Sequence, residues 1–299
     1  MVKREFTFPS ADGKTAIHAV EWLPEGAPRA VLQIAHGVSE YVLRYEDFAG
    51  YLTERGFAVV GNDHLGHGLS VSDGAPRLYF GPKGSWNWVV EDMEQLRKLT
   101  HRQFPNLPYF LLGHSMGSFL TRTYLCRYPG TVDGAILSGT GQENALLVGA
   151  GKLLASLIAR FKGPDYVSTL VNSLSLGAYN KQFKPTRTTA DWISRDEGVV
   201  DRYLADPFCT FTPTVGMFRD MLGGLQYIAS EKALSQMDPS TPVYLFSGDQ
   251  DPVGSNGKGV RKVYGYFQKH GTRDLQLKLY PGGRHEMLNE RNKDEVYAD

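Results

Sequence analysis

Residues Gly113 to Gly117 read Gly-His-Ser-Met-Gly, a pentapeptide that can present a reactive serine hydroxyl. In this pattern the serine lies on a sharp, strained turn between a strand and a helix, and the flanking glycines let the strand and the helix approach closely. The context fits, because Pro108 precedes an apolar strand and the helical stretch Phe119 to Arg127 stops at Pro129. We therefore predict that Ser115 is a nucleophile.

A serine hydroxyl is a weak nucleophile at neutral pH, so it needs a base and a carboxylate that orients this base. Where a serine lies on such a turn, the order along the chain is serine, acid, histidine. Of the eight histidines, only His270 and His285 follow a candidate acid in the last third of the chain. His270 lies at the end of a predicted helix, whereas His285 follows a strand and a glycine-rich turn. Because ligands bind at the carboxyl edge of such sheets, we predict that His285 is the base.

The remaining parts of the site are the orienting acid and the donors for the negative charge that develops on the substrate oxygen. A buried strand leads into a loop that holds two aspartates, Asp249 and Asp251. Met116 begins the helix after the nucleophile and offers its backbone N–H. The loop after an earlier apolar strand offers a second N–H at Val38. We predict Val38 and Met116 as oxyanion donors, and one of the two aspartates as the acid.

The segment Asp63 to Gly68 contains a His-x-x-His spacing that could suggest a metal site. No further cysteine, histidine or paired carboxylate stands at ligand spacing, and a serine mechanism needs no metal. A tight, hydrogen-bonded turn beneath the site accounts better for this segment. We predict no metal and no organic cofactor.

The elements that must position these residues alternate between strands and helices. The segment Glu5 to Leu23 alternates apolar and polar residues around Asp12-Gly13 and predicts an antiparallel hairpin at an edge. The later strands and helices alternate, which predicts an α/β fold with a mostly parallel central sheet and helices on both faces. Between residues 141 and 230 this alternation stops and the sequence favours helices. We predict a single domain over residues 1–299 with a helical cap inserted at 141–230.

Together these features resemble the monoacylglycerol lipase and lysophospholipase branch of the α/β-hydrolases, which is similar to the serine aminopeptidases of family S33. The motifs that carry the resemblance are His36-Gly37, Arg44-Tyr45, Asp63 to Gly68 with Ser70, the Gly-His-Ser-Met-Gly pentapeptide and Arg284-His285-Glu286. The resemblance implies an α/β-hydrolase fold and an activity that releases a fatty acid from a monoglyceride or a lysophospholipid.

The resemblance also bears on the choice of the acid. Related enzymes carry the acid at the Gly-x-x-Asp spacing that Gly248 and Asp251 show here. It therefore implies a triad of Ser115, Asp251 and His285. Asp249 would then be a turn residue that accepts hydrogen bonds from backbone N–H groups.

Two features depart from the branch. The residues Ser39, Glu40 and Tyr41 stand where the branch usually has Gly-Glu-His. A substrate pocket that includes Glu40 and Tyr41 would therefore differ in polarity, which weakens the case for glycerol. The last predicted helix begins near Asn292 and the chain stops at Asp299, whereas relatives generally complete this helix, and truncation would account for the difference.

The predicted cap contains an apolar helical face. It consists of Leu146, Leu147, Leu153, Leu154, Leu157 and Ile158. Such a face predicts packing within the cap, a wall for an acyl chain, or a lip that contacts a membrane surface transiently. Leu154 and Ile158 are the candidates for the substrate pocket. Because each buried methylene contributes about 0.8 kcal/mol, an apolar tunnel would dominate the binding of a long chain.

Other functions fit the same scaffold, since a fold does not determine a function. A short-chain esterase, a thioesterase or an aminopeptidase would use the same triad. An aminopeptidase needs a carboxylate for the terminal amine of its substrate, and Asp191, Asp196 and Glu197 could supply one. A non-catalytic ligand-binding protein is a further alternative, but the complete set of triad residues argues against it.

Composition limits the partners and the location. The 32 basic and 32 acidic residues give a formal net charge of zero, which disfavours nucleic acid as a partner. We predict that Cys126 and Cys209 are free, buried thiols. The N-terminal residues lack the apolar run of a signal peptide, so we predict a cytoplasmic protein that acts on a small-molecule or lipid ester. The sequence leaves the oligomeric state open.

Overall fold

The computed structural model describes residues 1–299 and has an eight-stranded sheet at its centre. The strands are β1 (Val2–Pro9), β2 (Ala16–Leu23), β3 (Ala30–Ala35), β4 (Phe57–Asn62), β5 (Tyr109–His114), β6 (Gly134–Ser138), β7 (Val243–Gly248) and β8 (Leu275–Tyr280). Their order across the sheet is β1-β2-β4-β3-β5-β6-β7-β8. Strands β3 to β8 are parallel, whereas β1 pairs antiparallel with β2, and β2 with β4. The predicted mostly parallel sheet with an antiparallel edge is confirmed.

Eleven α-helices accompany the sheet. They are α1 (Glu46–Thr53), α2 (Trp86–Gln103), α3 (Met116–Arg127), α4 (Ala145–Lys162), α5 (Thr169–Leu174), α6 (Leu176–Tyr179), α7 (Glu197–Ala205), α8 (Val215–Tyr227), α9 (Glu231–Leu234), α10 (Lys258–Lys269) and α11 (Lys293–Ala298). Helices α4 to α9 all lie between β6 and β7, and this interval contains no strand. It therefore interrupts the alternation of strands and helices at the place where the sequence pattern changes.

The central strands are buried because helices cover both faces of the sheet. Every residue of β3 is buried. Since successive residues of a strand point to opposite faces, Val31 and Leu111 belong to the larger core, and their neighbours Leu32 and Leu112 to the smaller one. This double coverage fixes the carboxyl ends of the strands, from which the loops of the site emerge.

The segment between β6 and β7 has a small core of its own, formed where α4 packs on α8. Its buried members are Ala155, Ala159, Val171, Val215 and Phe218. Large apolar side chains on the outer face of α4 remain exposed, among them Leu146, Leu147, Leu153, Leu157 and Phe161. No helix of the structure combines the length and the apolar character needed to cross a lipid bilayer.

Candidate active site

Ser115 lies on a sharp turn between β5 and α3, with a φ of 53° and a ψ of −121° that residues other than glycine rarely adopt. Its N–H donates to the carbonyl oxygen of Ser138 at 2.9 Å, which fixes the turn. A Cβ at Gly117 would overlap the carbonyl oxygen of Ala35, and one at Gly113 would overlap the backbone of Gly117. Only glycine fits at these two positions, as the motif predicts.

The loops after β7 and β8 bring an acid and a histidine together. The Nδ1 atom of His285 lies 3.0 Å from both carboxylate oxygens of Asp251. The hydroxyl of Ser247 and the N–H of Val253 each donate to Asp251 at 2.9 Å. The Asp251 and His285 side chains are buried, so the carboxylate is held in one orientation. Because Nδ1 faces the acid, Nε2 is the nitrogen available for Ser115 or a substrate.

Asp249 has a different environment. Its Oδ1 atom accepts a hydrogen bond from the N–H of Gly282 at 2.8 Å, and its side chain is partly exposed. It therefore ties the turn after β8 to the loop after β7 and makes no hydrogen bond with His285. This arrangement matches the turn role expected for Asp249.

The protonation of His285 depends on two opposing effects. Burial lowers the pKa of His285, because it disfavours the charged imidazolium. The adjacent Asp251 carboxylate, together with Glu286 and Glu40, outweighs burial, so the pKa lies above its ordinary value. For His114, whose ring centroid lies 4.7 Å from that of His285, burial and the neighbouring histidine lower the pKa to about 4. At neutral pH His114 is thus an uncharged neighbour of a more basic histidine.

Ser115 and His285 face the same small cavity of about 30 Å³. Its lining consists of Gly37, Val38, Ser39, Glu40, His114, Ser115, Leu176, Trp192, Ile193, Tyr203, His285 and Glu286. The Trp192 ring covers His285, with 4.9 Å between the ring centroids. The Ser115 hydroxyl makes no hydrogen bond with His285 in this structure, and such bonds often tighten only when substrate is present. A cavity of this size holds one or two water molecules, not an ester.

Two backbone N–H groups near Ser115 have no acceptor within the protein. Met116 is the first residue of α3, so its N–H has no partner inside the helix. The N–H of Val38, in the loop after β3, is also unpaired, and Val38 lines the cavity. The neighbouring N–H of Gly37 instead donates to the carboxylate of Glu40. Val38 and Met116 carry the two N–H groups that the sequence predicts as oxyanion donors, and both are free to donate to a substrate oxygen.

Comparison with known proteins shows what the chain is related to. The sequence profile of a hydrolase family described as "Serine aminopeptidase, S33" matches residues 26–292. The chain belongs to this family. The monoacylglycerol lipase of Mycolicibacterium smegmatis is 29% identical over 305 aligned residues, which cover 99% of this chain and 95% of the relative. The human monoglyceride lipase is 28% identical over 271 residues, 90% of this chain and 79% of the relative.

Among solved structures, a highly thermostable carboxyl esterase from Bacillus coagulans in complex with glycerol superposes with a TM-score of 0.92 at 32% identity. The match covers 100% of this chain and 96% of the esterase. The S33 protein described here is therefore an ester hydrolase with the α/β-hydrolase fold, as the resemblance implied.

The remaining residues predicted for a substrate pocket in this S33 hydrolase lie in different places. Glu40 lines the cavity, but Tyr41 does not, and its hydroxyl donates to Asp206 at 2.8 Å. Leu154 and Ile158 pack against the small core between α4 and α8. They do not reach the cavity, because the face of α4 that carries them is turned toward α8 and not toward the sheet. Of these four residues, only Glu40 lines the same cavity as Ser115.

The histidines of the segment Asp63 to Gly68 form a buried group with His36. The ring centroids of His36 and His64 are 4.2 Å apart, and those of His36 and His67 are 5.2 Å apart. Burial lowers the pKa of all three, and that of His67 to about 3, so the rings are neutral. The side chain of Asp63 accepts from the N–H groups of Val42 and Leu69, which makes this segment a tight turn below the site.

Sequence reasoning missed three residues of the site: Arg44, Trp192 and Glu286. Arg44 and Glu286 belong to motifs shared with relatives, but nothing in their spacing of 242 residues shows that they form an ion pair. Burial raises the pKa of Glu286, yet the nearby Arg44 guanidinium outweighs it and lowers the value to about 2. A carboxylate directly after the predicted base, at Glu286, is the signal that could have drawn attention to this pair.

Proposed function

We propose that the protein is a serine esterase that cleaves monoacylglycerol, with Ser115 as nucleophile, His285 as base and Asp251 as the orienting acid. The observation that carries the proposal is the buried Asp251–His285 pair in the same cavity as a serine on a strained turn. The substrate class is supported by relatives named monoacylglycerol lipase and monoglyceride lipase.

The mechanism follows from these positions. Nε2 of His285 accepts the proton of the Ser115 hydroxyl as the oxygen attacks the ester carbonyl, and Asp251 stabilises the imidazolium. The N–H groups of Val38 and Met116 stabilise the oxyanion. His285 then gives its proton to the departing alcohol, which leaves an acyl-enzyme. Water activated by His285 attacks this intermediate, releases the fatty acid and restores Ser115.

The charge beside the cavity favours an uncharged alcohol as the leaving group. Glu40 and Glu286 line the cavity and share a single cation, Arg44, so this group carries a net negative charge. A phosphate close to the ester would be repelled, whereas the hydroxyls of a polyol can donate hydrogen bonds to carboxylates. This argues for monoacylglycerol over lysophospholipid within the branch.

The cavity is too small for an ester, so part of the protein must move before a substrate enters. Leu176, Trp192 and Tyr203, from the segment between β6 and β7, cover Ser115. We assign residues 141–230 as the cap that opens and closes over the site. The exposed leucines on its α4 helix fit a transient contact with a lipid surface, from which a long-chain ester would enter. A cytoplasmic location stays a prediction.

The structure gives little support to an aminopeptidase activity. The three carboxylates considered for binding a terminal amine do not line the cavity. Asp191 accepts hydrogen bonds from Thr188 and the N–H of Arg187, and Asp196 caps α7 through the N–H of Val199. Glu197 is exposed at the protein surface.

A substrate panel with a labelling assay tests the proposal. Esters of p-nitrophenol from acetyl to palmitoyl, monoacylglycerol, lysophosphatidylcholine and an aminoacyl amide are compared, and a fluorophosphonate probe reports the active serine. We expect a preference for long-chain monoacylglycerol and a loss of roughly 10³-fold or more in kcat for Ser115→Ala. Ser230→Ala, which removes a hydroxyl that caps α9 and donates to the carbonyl oxygen of Tyr227, is the matched control. Substantial turnover by Ser115→Ala would refute the triad, and activity confined to short esters would refute the lipase assignment.

A further inference from the structure

Three buried charged side chains lie beside the cavity, and the mechanism above assigns them no step. Arg44 donates from Nη1 and Nη2 to the two oxygens of Glu286, each at 2.8 Å. The same Nη1 donates to Glu40 at 2.7 Å. The three side chains are between 5% and 11% exposed. We call Glu40, Arg44 and Glu286 the Arg44 trio.

The two acids of the Arg44 trio belong to different loops of the site. Glu40 lies in the loop after β3, where its carboxylate accepts from the N–H of Gly37, directly before Val38, and from the Tyr45 hydroxyl at 2.9 Å. Glu286 directly follows His285 in the loop after β8. The Arg44 guanidinium therefore joins the loop that holds a proposed oxyanion donor to the loop that holds the proposed base.

We infer that Arg44 is a positioning residue, which holds Val38 and His285 in a fixed relation to each other through Glu40 and Glu286. The inference rests on the proposed function, because it assigns a role to Arg44 in the same reaction. It goes beyond that function in naming a residue that does not line the cavity and makes no hydrogen bond with Ser115, Asp251 or His285.

Stability alone does not explain the Arg44 trio. Buried ions lose hydration, and this loss commonly offsets most of their mutual attraction. The guanidinium fixes the orientation of a carboxylate, because its planar fork of N–H donors binds both carboxylate oxygens in one geometry. A lysine would keep the charge but could not reproduce the fork. The Arg44→Lys variant thus separates the geometric role from the charge.

The chain offers a matched control for this substitution. Arg97 binds both oxygens of the buried Glu94, at 2.7 and 3.0 Å, and Glu94 also accepts from the Tyr124 hydroxyl at 2.6 Å. The Arg97–Glu94 pair repeats the two-oxygen contact of Arg44 with Glu286 and the tyrosine contact of Glu40, but it lies within α2 and joins no loops of the site. The Arg97→Lys variant therefore measures how much the loss of such an arginine–carboxylate contact lowers Tm when no loop of the site is displaced.

The experiment compares wild type, Arg44→Lys and Arg97→Lys for the rate of fluorophosphonate labelling, for kcat and KM on a short soluble ester, and for Tm. We expect Arg44→Lys to reduce kcat and the labelling rate about tenfold to a hundredfold, with KM nearly unchanged, because small misplacements of catalytic groups have effects of this size. Its Tm should resemble that of Arg97→Lys, which should keep the wild-type kcat.

Equal kcat values for the two variants, or a rise in KM alone, would overturn the inference and leave the proposed function intact. Absence of labelling in the wild type would overturn both. If Arg44→Lys does not fold, Glu286→Gln provides the same comparison, with Glu94→Gln as its control. In that case equal labelling rates for the two glutamine variants would overturn the inference.

Discussion

At the scale of single residues, the site depends on how burial and nearby charges set the protonation of its histidines. His114 and His285 are adjacent and both buried, yet their pKa values move in opposite directions. The difference arises because Asp251 contacts the ring of His285, while His114 faces only the hydroxyl of Ser138 at 3.1 Å. One carboxylate therefore decides which histidine can act as a base.

A first prediction concerns the two aspartates. Asp251→Asn should reduce kcat by roughly 10³- to 10⁴-fold, because an amide neither selects the required tautomer of His285 nor stabilises its charged form. Asp249→Asn should change kcat less than about threefold, since an amide oxygen still accepts the N–H of Gly282. Steady-state kinetics on a soluble ester measures both. A larger loss for Asp249→Asn would reverse the assignment of the acid.

A second prediction concerns pH. His285 must be neutral to accept a proton, so kcat/KM should fall as the pH drops through its raised pKa. The carboxylates that raise this pKa are Asp251 after β7, Glu286 next to His285, and Glu40 after β3. Glu286→Gln removes one of these charges and should move the acidic limb of kcat/KM to lower pH. A pH profile for a soluble ester measures the shift, and an unchanged limb would contradict this account.

At the scale of elements, the site is built from the loops at the carboxyl ends of β3, β5, β7 and β8. These strands are held parallel in one sheet, so their ends lie at the same edge. The closest approach is between the start of α3 and the end of β3, where Gly117 meets the carbonyl oxygens of Ala35 and His36. The positions of nucleophile and oxyanion loop are therefore coupled through a contact that admits no side chain.

A third prediction follows for this contact. Gly117→Ala should lower the free energy of unfolding by about 3 kcal/mol and reduce kcat, because the added methyl must displace the end of β3. Gly50→Ala in α1 is the control, since no atom lies within 4 Å of its added methyl. It should raise the free energy of unfolding by about 0.5 to 1 kcal/mol. Urea unfolding of the two variants compares them, and equal stabilities would contradict the packing argument.

At the scale of the whole molecule, a well-packed sheet domain carries a helical segment whose outer face is apolar. Leu146 is 84% exposed and Leu153 is 61% exposed on α4, while the cavity at Ser115 is too small for an ester. An exposed apolar surface near so small a cavity fits a cap that opens where lipid is present. Lys152 and Arg160 on the same helix are positively charged, but a lipid without net charge does not attract them. Binding to neutral lipid would therefore depend on the apolar side chains.

A fourth prediction tests this surface. The double variant Leu146→Ser/Leu153→Ser should bind phosphatidylcholine vesicles about tenfold more weakly than wild type, because less apolar surface leaves water. Its kcat on a short soluble ester should be unchanged. Leu69→Ser, which alters a leucine 55% exposed outside the proposed cap, should bind vesicles like wild type. Vesicle cosedimentation measures binding, and equal binding by all three proteins would exclude α4 as the contact.

Several elements could be predicted from the sequence with almost correct bounds. The last predicted helix, near Asn292, corresponds to α11 from Lys293, and the strand-free interval 141–230 lies between β6 and β7. Boundaries elsewhere shift by a few residues, as where β1 begins at Val2 and the predicted alternation begins at Glu5. The strand starts earlier because Val2 to Arg4 pair with Glu21 to Leu23, which the local alternation of residues does not reveal.

The sequence by itself determined the α/β architecture, the segment in which the alternation breaks, and the serine, acid and histidine as candidates, because periodicity, turn residues and order along the chain are local properties. The resemblance to relatives already implied Asp251 as the acid, and the structure places it against His285. Tertiary structure alone decided that Trp192 covers the base and that Arg44 joins two loops. It also places Leu154 and Ile158 against the small core between α4 and α8, away from the cavity. These contacts link residues that lie far apart in the chain, so local patterns do not reveal them. The rest of the fold also determines which face of a helix or strand points inward.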